Sequence, residues 1–253
     1  MSVRIVIAGC GGRMGRAIGQ TALQDHGVTI AGAFEVPGHA LLNMDYGSVL
    51  GHASPLGVRV VSDARQAIGQ GDVVIEFTAP EPTLVHLDLA RALRKPMVIG
   101  TTGLSEAQIA AVKSAAQAIP IVFSPNMSLG VNLLFELSQL AAQRLGLAYD
   151  VEVVEAHHRQ KKDAPSGTAK RLAEGLASAR KKPVNTIPVH AVRAGDIVGD
   201  HTVILAGPAE RLELTHRAHS REVFARGAIT AAQFVATQKP GLYDMSHVLR
   251  ATS

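Results

Sequence analysis

Between Glu155 and Thr168 the chain reads Glu155-Ala156-His157-His158-Arg159-Gln160-Lys161-Lys162-Asp163-Ala164-Pro165-Ser166-Gly167-Thr168. Two imidazoles and three permanent cations fall within six positions, from His157 to Lys162. An imidazole titrates near neutrality, and cations beside a helix start attract carboxylates. The set therefore suits binding a small dianion and protonating it. Pro165 fixes the chain, and Ser166-Gly167-Thr168 precede Ala169, Leu172, Ala173 and Leu176, which share one helix face. The amides of Gly167 and Thr168 are thus expected at a helix N-terminus, where donors lack partners within the helix. The bland alternative is a capped helix after a solvated basic loop, which is how Gln160 and Lys162 are read. No metal is assigned to His157 and His158, because adjacent side chains diverge and no third ligand follows at metal-site spacing.

A second cluster opens the chain. Gly9-Cys10-Gly11-Gly12-Arg13-Met14-Gly15 follows the apolar run Val3 to Ala8 and begins a helical pattern. Glycines in that context let backbone amides and a helix start approach a pyrophosphate. Glu35 stands 20 residues after Gly15, at the end of the next apolar run, where a carboxylate can accept from a ribose diol. The plain alternative is a glycine-rich turn with a solvated Glu35. Cys10 reads as a small loop residue, since no base stands near it in sequence. Two further loops, Gly100-Thr101-Thr102-Gly103 and Ser124-Pro125-Asn126-Met127, also follow strand-like runs. They are read as holding the ribose and nicotinamide of a dinucleotide, although such residues also make ordinary turns.

The elements that must position these groups differ between the two halves. Through Phe123, continuous apolar runs (Val3 to Ala8, Val28 to Phe34, Asp72 to Phe77, Met97 to Ile99, Ile121 to Phe123) alternate with helical patterns. That predicts a doubly wound, Rossmann-like parallel sheet covered on both faces. After a helical stretch from Leu129 to Leu145, the period changes to two in Val151 to Glu155, Val189 to Arg193, His201 to Leu205 and Leu212 to His216. A second α+β domain with a mixed sheet is expected over 128–219, used for substrate binding and oligomerisation. Residues 1–127 form the dinucleotide-binding domain, with 220–253 returning to it.

Composition narrows the function classes. The 253 residues carry a formal net charge of +4, 47% hydrophobic content, 4% aromatics and no tryptophan. A base-stacking nucleic-acid platform is therefore not expected, and the surplus charge suits small anions. The apolar run at residues 3–10 is short and interrupted by Arg4, so it reads as a buried strand, and no membrane segment is expected. A lone cysteine excludes an internal disulfide framework and agrees with a reducing cytoplasm.

The segment from Glu155 to Ala169 resembles the signature of the 4-hydroxy-tetrahydrodipicolinate reductase family, formerly called dihydrodipicolinate reductase. Gly9 to Gly15, Gly100 to Gly103, Ser124-Pro125-Asn126 and Gly241-Leu242-Tyr243-Asp244-Met245 fall where that family has similar runs. The resemblance implies a cytoplasmic homotetramer that reduces a cyclic imine dicarboxylate with NADH or NADPH, with loss of water, in lysine and diaminopimelate biosynthesis. It implies His157 and Lys161 as the acid and base pair, His158 as a substrate contact, and Gly167 and Thr168 as carboxylate binders. Residues 9–14, Glu35, Gly100, Thr101, Thr102 and Ser124 to Met127 would hold the cofactor. Members favouring NADPH often place arginine directly after the acid; here Val36 stands there, while Arg13 keeps both dinucleotides open. Competing readings are another two-domain nicotinamide oxidoreductase and a non-catalytic dinucleotide sensor, which would have no use for a titratable His157.

Overall fold

The computed structural model describes residues 2–251; residues 1, 252 and 253, which belong to segments expected in the first domain, lie outside the described residues. In chain order the strands are β1 (Val3–Ala8), β2 (Val28–Phe34), β3 (Val60–Val61), β4 (Val73–Glu76), β5 (Met97–Ile99), β6 (Pro120–Phe123), β7 (Asp150–His157), β8 (Val189–Arg193), β9 (Gly199–Gly207), β10 (Glu210–Ala218) and β11 (Gly241–Tyr243). The α-helices are α1 (Arg13–Ala22), α2 (Tyr46–Val49), α3 (Ala64–Gln70), α4 (Pro80–Ala92), α5 (Glu106–Ala115), α6 (Leu129–Leu145), α7 (Gly167–Ala179), α8 (Glu222–Val235) and α9 (Met245–Ala251).

The chain divides into two compact units. One runs up to Met127 and resumes at Phe224, inside α8; the other is Ser128–Val223. In the first, seven strands form a sheet in the order β11-β6-β5-β4-β1-β2-β3, and every pairing is parallel. The inner strands are apolar on both faces, as a parallel sheet under two helical layers requires: Ile5, Val6, Ile7, Val73, Val74, Ile75, Met97, Val98 and Ile99 are all fully buried. The doubly wound expectation is met. Three short pieces between residues 46 and 70 (α2, β3 and α3) carry too little periodicity to be read from sequence. The edge strand β11 is equally brief, three residues paired to β6.

The second unit has a four-stranded sheet in the order β10-β9-β7-β8. β7 pairs parallel to β8 and antiparallel to β9, so the sheet is mixed as expected. Val151, Val153, Val203 and Leu205 face one way and pack with Val131, Leu134 and Phe135 of α6 and with Leu172 and Leu176 of α7. Ser128 caps α6 and Ser166 caps α7 through their hydroxyls. The strand predicted over Val151 to Glu155 runs on to His157, so that imidazole stands on the sheet and not in the loop after it.

Close packing at Gly227 illustrates how tightly α8 joins the first unit. A Cβ there would fall 1.7 Å from the Met127 carbonyl oxygen, whereas a Cβ at Gly69 would meet nothing within 4 Å. Gly227→Ala should lower stability by about 3 kcal/mol, as overpacking does. Gly69→Ala, at an exposed position of α3, should raise it by about 0.5 to 1 kcal/mol by removing helix-interior glycine. Urea unfolding followed by circular dichroism separates the two, and equal shifts in one direction would contradict the packing described.

Candidate active site

Four loops meet at the carboxyl edge of the parallel sheet, the edge where open α/β sheets bind ligands. After β1, Gly9 turns with φ of 59° and the Gly12 amide donates back to its carbonyl at 3.0 Å. A Cβ on Gly15 would lie 2.3 Å from the Gly9 oxygen, so helix α1 can start this close to the turn only with glycine there. Helix α1 has no side-chain cap and no acid in its first turn, leaving the positive end of its dipole bare for an anion. Arg13 and Gly12 are exposed, Gly9, Gly11 and Met14 half-buried and Cys10 fully buried. Burial pushes the Cys10 thiol up to about 12, so it is neither nucleophile nor charge.

Glu35 follows β2, and its Oε1 accepts the Gly11 amide at 2.8 Å. The carboxylate therefore stands against the glycine turn, the position a ribose diol requires. Arg16 is committed to the same loop, donating to the Gly11 carbonyl at 3.0 Å and to the Val49 carbonyl at 2.7 Å. After β5, Gly100 lets the Phe77 ring approach, since a Cβ would meet it at 2.2 Å; Thr101 is buried and Thr102 exposed. After β6, Ser124 and Met127 are buried and Ser124 Oγ donates to the Asn126 carbonyl at 2.9 Å. That loop offers a ligand Pro125, Asn126 and backbone groups, because the Ser124 and Met127 side chains serve the core. The glycine turn, bare helix start and acid fit a dinucleotide.

In the second unit the chemistry gathers around Glu155, which is fully buried on β7. Its Oε1 accepts from Arg193 Nη2 at 2.7 Å and from the Ser166 amide at 3.0 Å. Its Oε2 accepts from Arg193 Nη1 at 2.8 Å and lies 2.5 Å from His157 Nδ1. Burial alone would raise this carboxyl; the bonds from Arg193, His157 and Ser166 outweigh it and hold the group below the usual carboxylate range. A carboxylate oxygen only accepts, so Nδ1 carries the proton and Nε2 of His157 is the titrating nitrogen. Residue 199 beside Nε2 is glycine; a Cβ there would sit 3.1 Å from that nitrogen.

Burial lowers the His157 pKa below the usual imidazole value; the Glu155 bond opposes this, while Lys161 and Arg193 add to it. Lys161, on the loop just past β7, pairs with Asp163 at 2.8 Å. Arg193 also donates to the Asp163 carbonyl, which ties that loop to β8 at 2.6 Å. His158 is half-buried at the start of the loop, and its carbonyl accepts the Lys161 amide at 3.0 Å. Cis Ala164–Pro165 leads into Ser166, with Gly167 and Thr168 as the first residues of α7. His157, Lys161, Gly167 and Thr168 are thus all attached to one network centred on Glu155.

Glu155, Arg193, Ser166, Gly199 and His201 acquired no role from sequence. Glu155 alone left a signal, an acid at the buried parity of β7 beside Val151 and Val153. His201 lies across from Glu155 in the strand register, and its ring stands 5.2 Å from that of His157. Its Nε2 is 3.3 Å from Ser166 Oγ, and its Nδ1 has no partner among the described residues.

A parallel sheet with this edge, joined to a mixed-sheet unit carrying a clamped histidine and a lysine, defines an oxidoreductase that binds a nicotinamide dinucleotide. Residues 3–127 match the family profile described as dihydrodipicolinate reductase, N-terminus, and residues 130–249 the one described as its C-terminus. The 4-hydroxy-tetrahydrodipicolinate reductase of Aromatoleum aromaticum is 47% identical over 98% of this chain and 96% of its own. That of Nitrosomonas europaea is 46% identical over 98% of each chain. A dipicolinate-bound dihydrodipicolinate reductase from Paenisporosarcina sp. TG-14 superposes with a TM-score of 0.81 at 24% identity, covering 96% of this chain and 98% of the other. The chain belongs to the 4-hydroxy-tetrahydrodipicolinate reductase family.

Burial, followed by the charge of His157, drives the His201 pKa down to about 4. A base whose folded pKa is depressed binds fewer protons folded than unfolded, so its contribution is intact above about pH 6.5 and is lost as pH falls towards 4. His201→Asn should remove up to about 3 kcal/mol of the stability difference between those pH values. Urea midpoints measured from pH 7 to 4.5 check this, and a wild-type slope in the variant would contradict it.

Proposed function

We propose that the chain reduces (2S,4S)-4-hydroxy-2,3,4,5-tetrahydrodipicolinate to tetrahydrodipicolinate with loss of water, in lysine and diaminopimelate biosynthesis, as a cytoplasmic enzyme. The observation that carries the reading is the His157 imidazole, clamped by buried Glu155 at the end of β7 and sharing that carboxylate with the Ser166 amide that leads into α7. Residues 1–127, with the segment from Phe224, bind the dinucleotide, and the second unit binds the dicarboxylate. When bound, the dinucleotide supplies the hydride. Gly9, Cys10, Gly11, Gly12, Arg13 and Met14 receive its pyrophosphate, Glu35 its ribose diol, and the loops at Gly100 to Thr102 and Ser124 to Met127 its nicotinamide half.

His158, Gly167 and Thr168 hold the substrate carboxylates, using the positive end of α7. Lys161 and His157 move the proton that the ring nitrogen side takes as hydride arrives. Burial favours the neutral form of His157 at rest, while Lys161 stands on the same loop, held by its pair with Asp163. A dicarboxylate beside His157 raises its pKa again and lets it share the load. NADH serves at least as well as NADPH, because Val36 is 60% exposed where a cation would meet a 2′-phosphate, and Glu35 repels that phosphate. Arg13, exposed in the turn, is the group of that loop placed to attract it.

The second unit also assembles the protein into a homotetramer. Helices α6 and α7 cover one face of its sheet; the other presents Val154, Val192 and Ile204 among the Thr202–Thr215 and Glu152–His190 pairs. Such a mixed, solvent-facing surface suits an isologous contact.

The deciding experiment forms the substrate from pyruvate and aspartate semialdehyde with the preceding enzyme and follows oxidation of NADH and NADPH separately. No oxidation of either would remove the assignment. His157→Gln should lower kcat by roughly two to four decades and Lys161→Ala should cripple turnover, with dinucleotide affinity nearly unchanged in both. Thr168→Val should act mainly on the substrate KM. For assembly, Ile204→Arg should convert the tetramer to smaller species in light scattering, and an unchanged mass would place the contact elsewhere.

A further inference from the structure

The first unit buries an acid and an imidazole that the proposed reaction does not use. Glu76 ends β4 and is fully buried, and the His86 side chain on α4 is 13% exposed. Oε1 of Glu76 accepts the Thr78 amide at 2.9 Å and the Thr78 hydroxyl, and lies 3.3 Å from Thr83 Oγ1. Oε2 accepts from His86 Nδ1 at 2.6 Å. Thr83 Oγ1 is also bonded to Thr101 Oγ1 at 2.9 Å.

Each of these partners leads to a different part of the carboxyl edge. Thr78 lies in the segment after β4, two residues past Glu76, and its methyl occupies the place where a Cβ on Gly9 would come within 2.8 Å. Thr101 lies in the loop after β5. The His86 ring stands edge-on to Phe34, 4.8 Å away, and Phe34 immediately precedes Glu35. One carboxylate with no access to water therefore touches, directly or through one side chain, the glycine turn, the Thr78 segment, the Thr101 loop and the strand that delivers Glu35.

We propose that Glu76 is a positioning residue of the dinucleotide site, locking the loops after β1, β4 and β5 to one another so that the cofactor meets a site already formed. The inference rests on the dinucleotide reading of this edge. Glu76 itself reaches no ligand; it acts through Thr78, Thr83 and His86. Every group facing it is a donor or can become one, which an acceptor-only carboxylate satisfies on both oxygens. A glutamine of the same size keeps one acceptor but presents an NH₂ to donors on its other side, so the network breaks without leaving a void.

The test is NADH fluorescence titration of the full chain, with kcat and substrate KM measured at saturating NADH. Glu76→Gln should raise the NADH dissociation constant by about tenfold or more while kcat and substrate KM move by less than about threefold. Thr83→Val, which removes the Thr83 hydroxyl that joins Glu76 to Thr101 and leaves the Thr78 and His86 bonds in place, should weaken NADH binding by about threefold or more and stands in should Glu76→Gln not fold. A folded Glu76→Gln protein that binds NADH like wild type overturns the inference, as does failure of both variants to fold, which would make the pair a folding element alone. Absence of binding to the wild-type chain would sink the dinucleotide reading itself, a separate outcome.

Discussion

A carboxylate withdrawn from water needs its lone pairs met inside the protein, and those of Glu155 are met by a bidentate arginine, a backbone amide and an imidazole. Removing one partner from such a group leaves a buried charge uncompensated, at a cost of about 3 to 5 kcal/mol. The register of β7 against β8 is accordingly not free to slip, because it sets His157 beside Arg193 and brings the guanidinium over Glu155. The same arginine holds the Asp163 carbonyl, and the same carboxylate holds the Ser166 amide. The strand end, the basic loop and the start of α7 are thus fixed to one charge. A catalytic constellation gains from that rigidity, since misplacement of a proton donor by an ångström is costly.

The two units reach the same local solution independently. In each, a fully buried glutamate at or near a strand end gives one oxygen to a histidine Nδ1 and the other to an amide of the next segment. The far side of the imidazole differs between them. His86 has its ring edge against Phe34, deep in the first unit, and so transmits position. His157 has a glycine beside Nε2 and a second imidazole beside its ring, surroundings that on the proposed reading serve proton exchange. The clamp is common to both; the surroundings of the second nitrogen decide between structure and chemistry.

The sheet classes were legible because their signals are local. Continuous apolar runs identify a strand buried on both faces, and a period of two identifies one with a single covered face; both survive from Val3 to Leu214. The glycine turn was legible for the same reason, its acid lying one strand away. The features that escaped are non-local. Arg193 is 38 residues from Glu155, and nothing in either stretch announces that β8 lies parallel to β7. Glu76 and His86 lie ten residues apart, but only the helix α4 folding back over β4 makes them neighbours. The pieces α2, β3 and α3 escaped because they are too short to show a period, and tertiary packing alone decides them.

Burial of a histidine changes how a proton is held there. Desolvation disfavours the imidazolium, and Lys161 and Arg193 disfavour it further, so the Glu155 bond can orient His157 without keeping it charged. A permanently protonated His157 would attract any anion, whereas one loaded only when a dianion arrives couples the proton to the ligand that needs it. On the proposed reading, the two carboxylates of the substrate supply the negative field that the resting site lacks. Lys161 is held on the same loop by its pair with Asp163. On that reading the resting site favours a dianion, because a neutral imine brings no negative charge to His157. Charge recognition and proton supply become one property of the same buried carboxylate, because Glu155 both holds His157 in place and ties in the Ser166 amide at the start of α7.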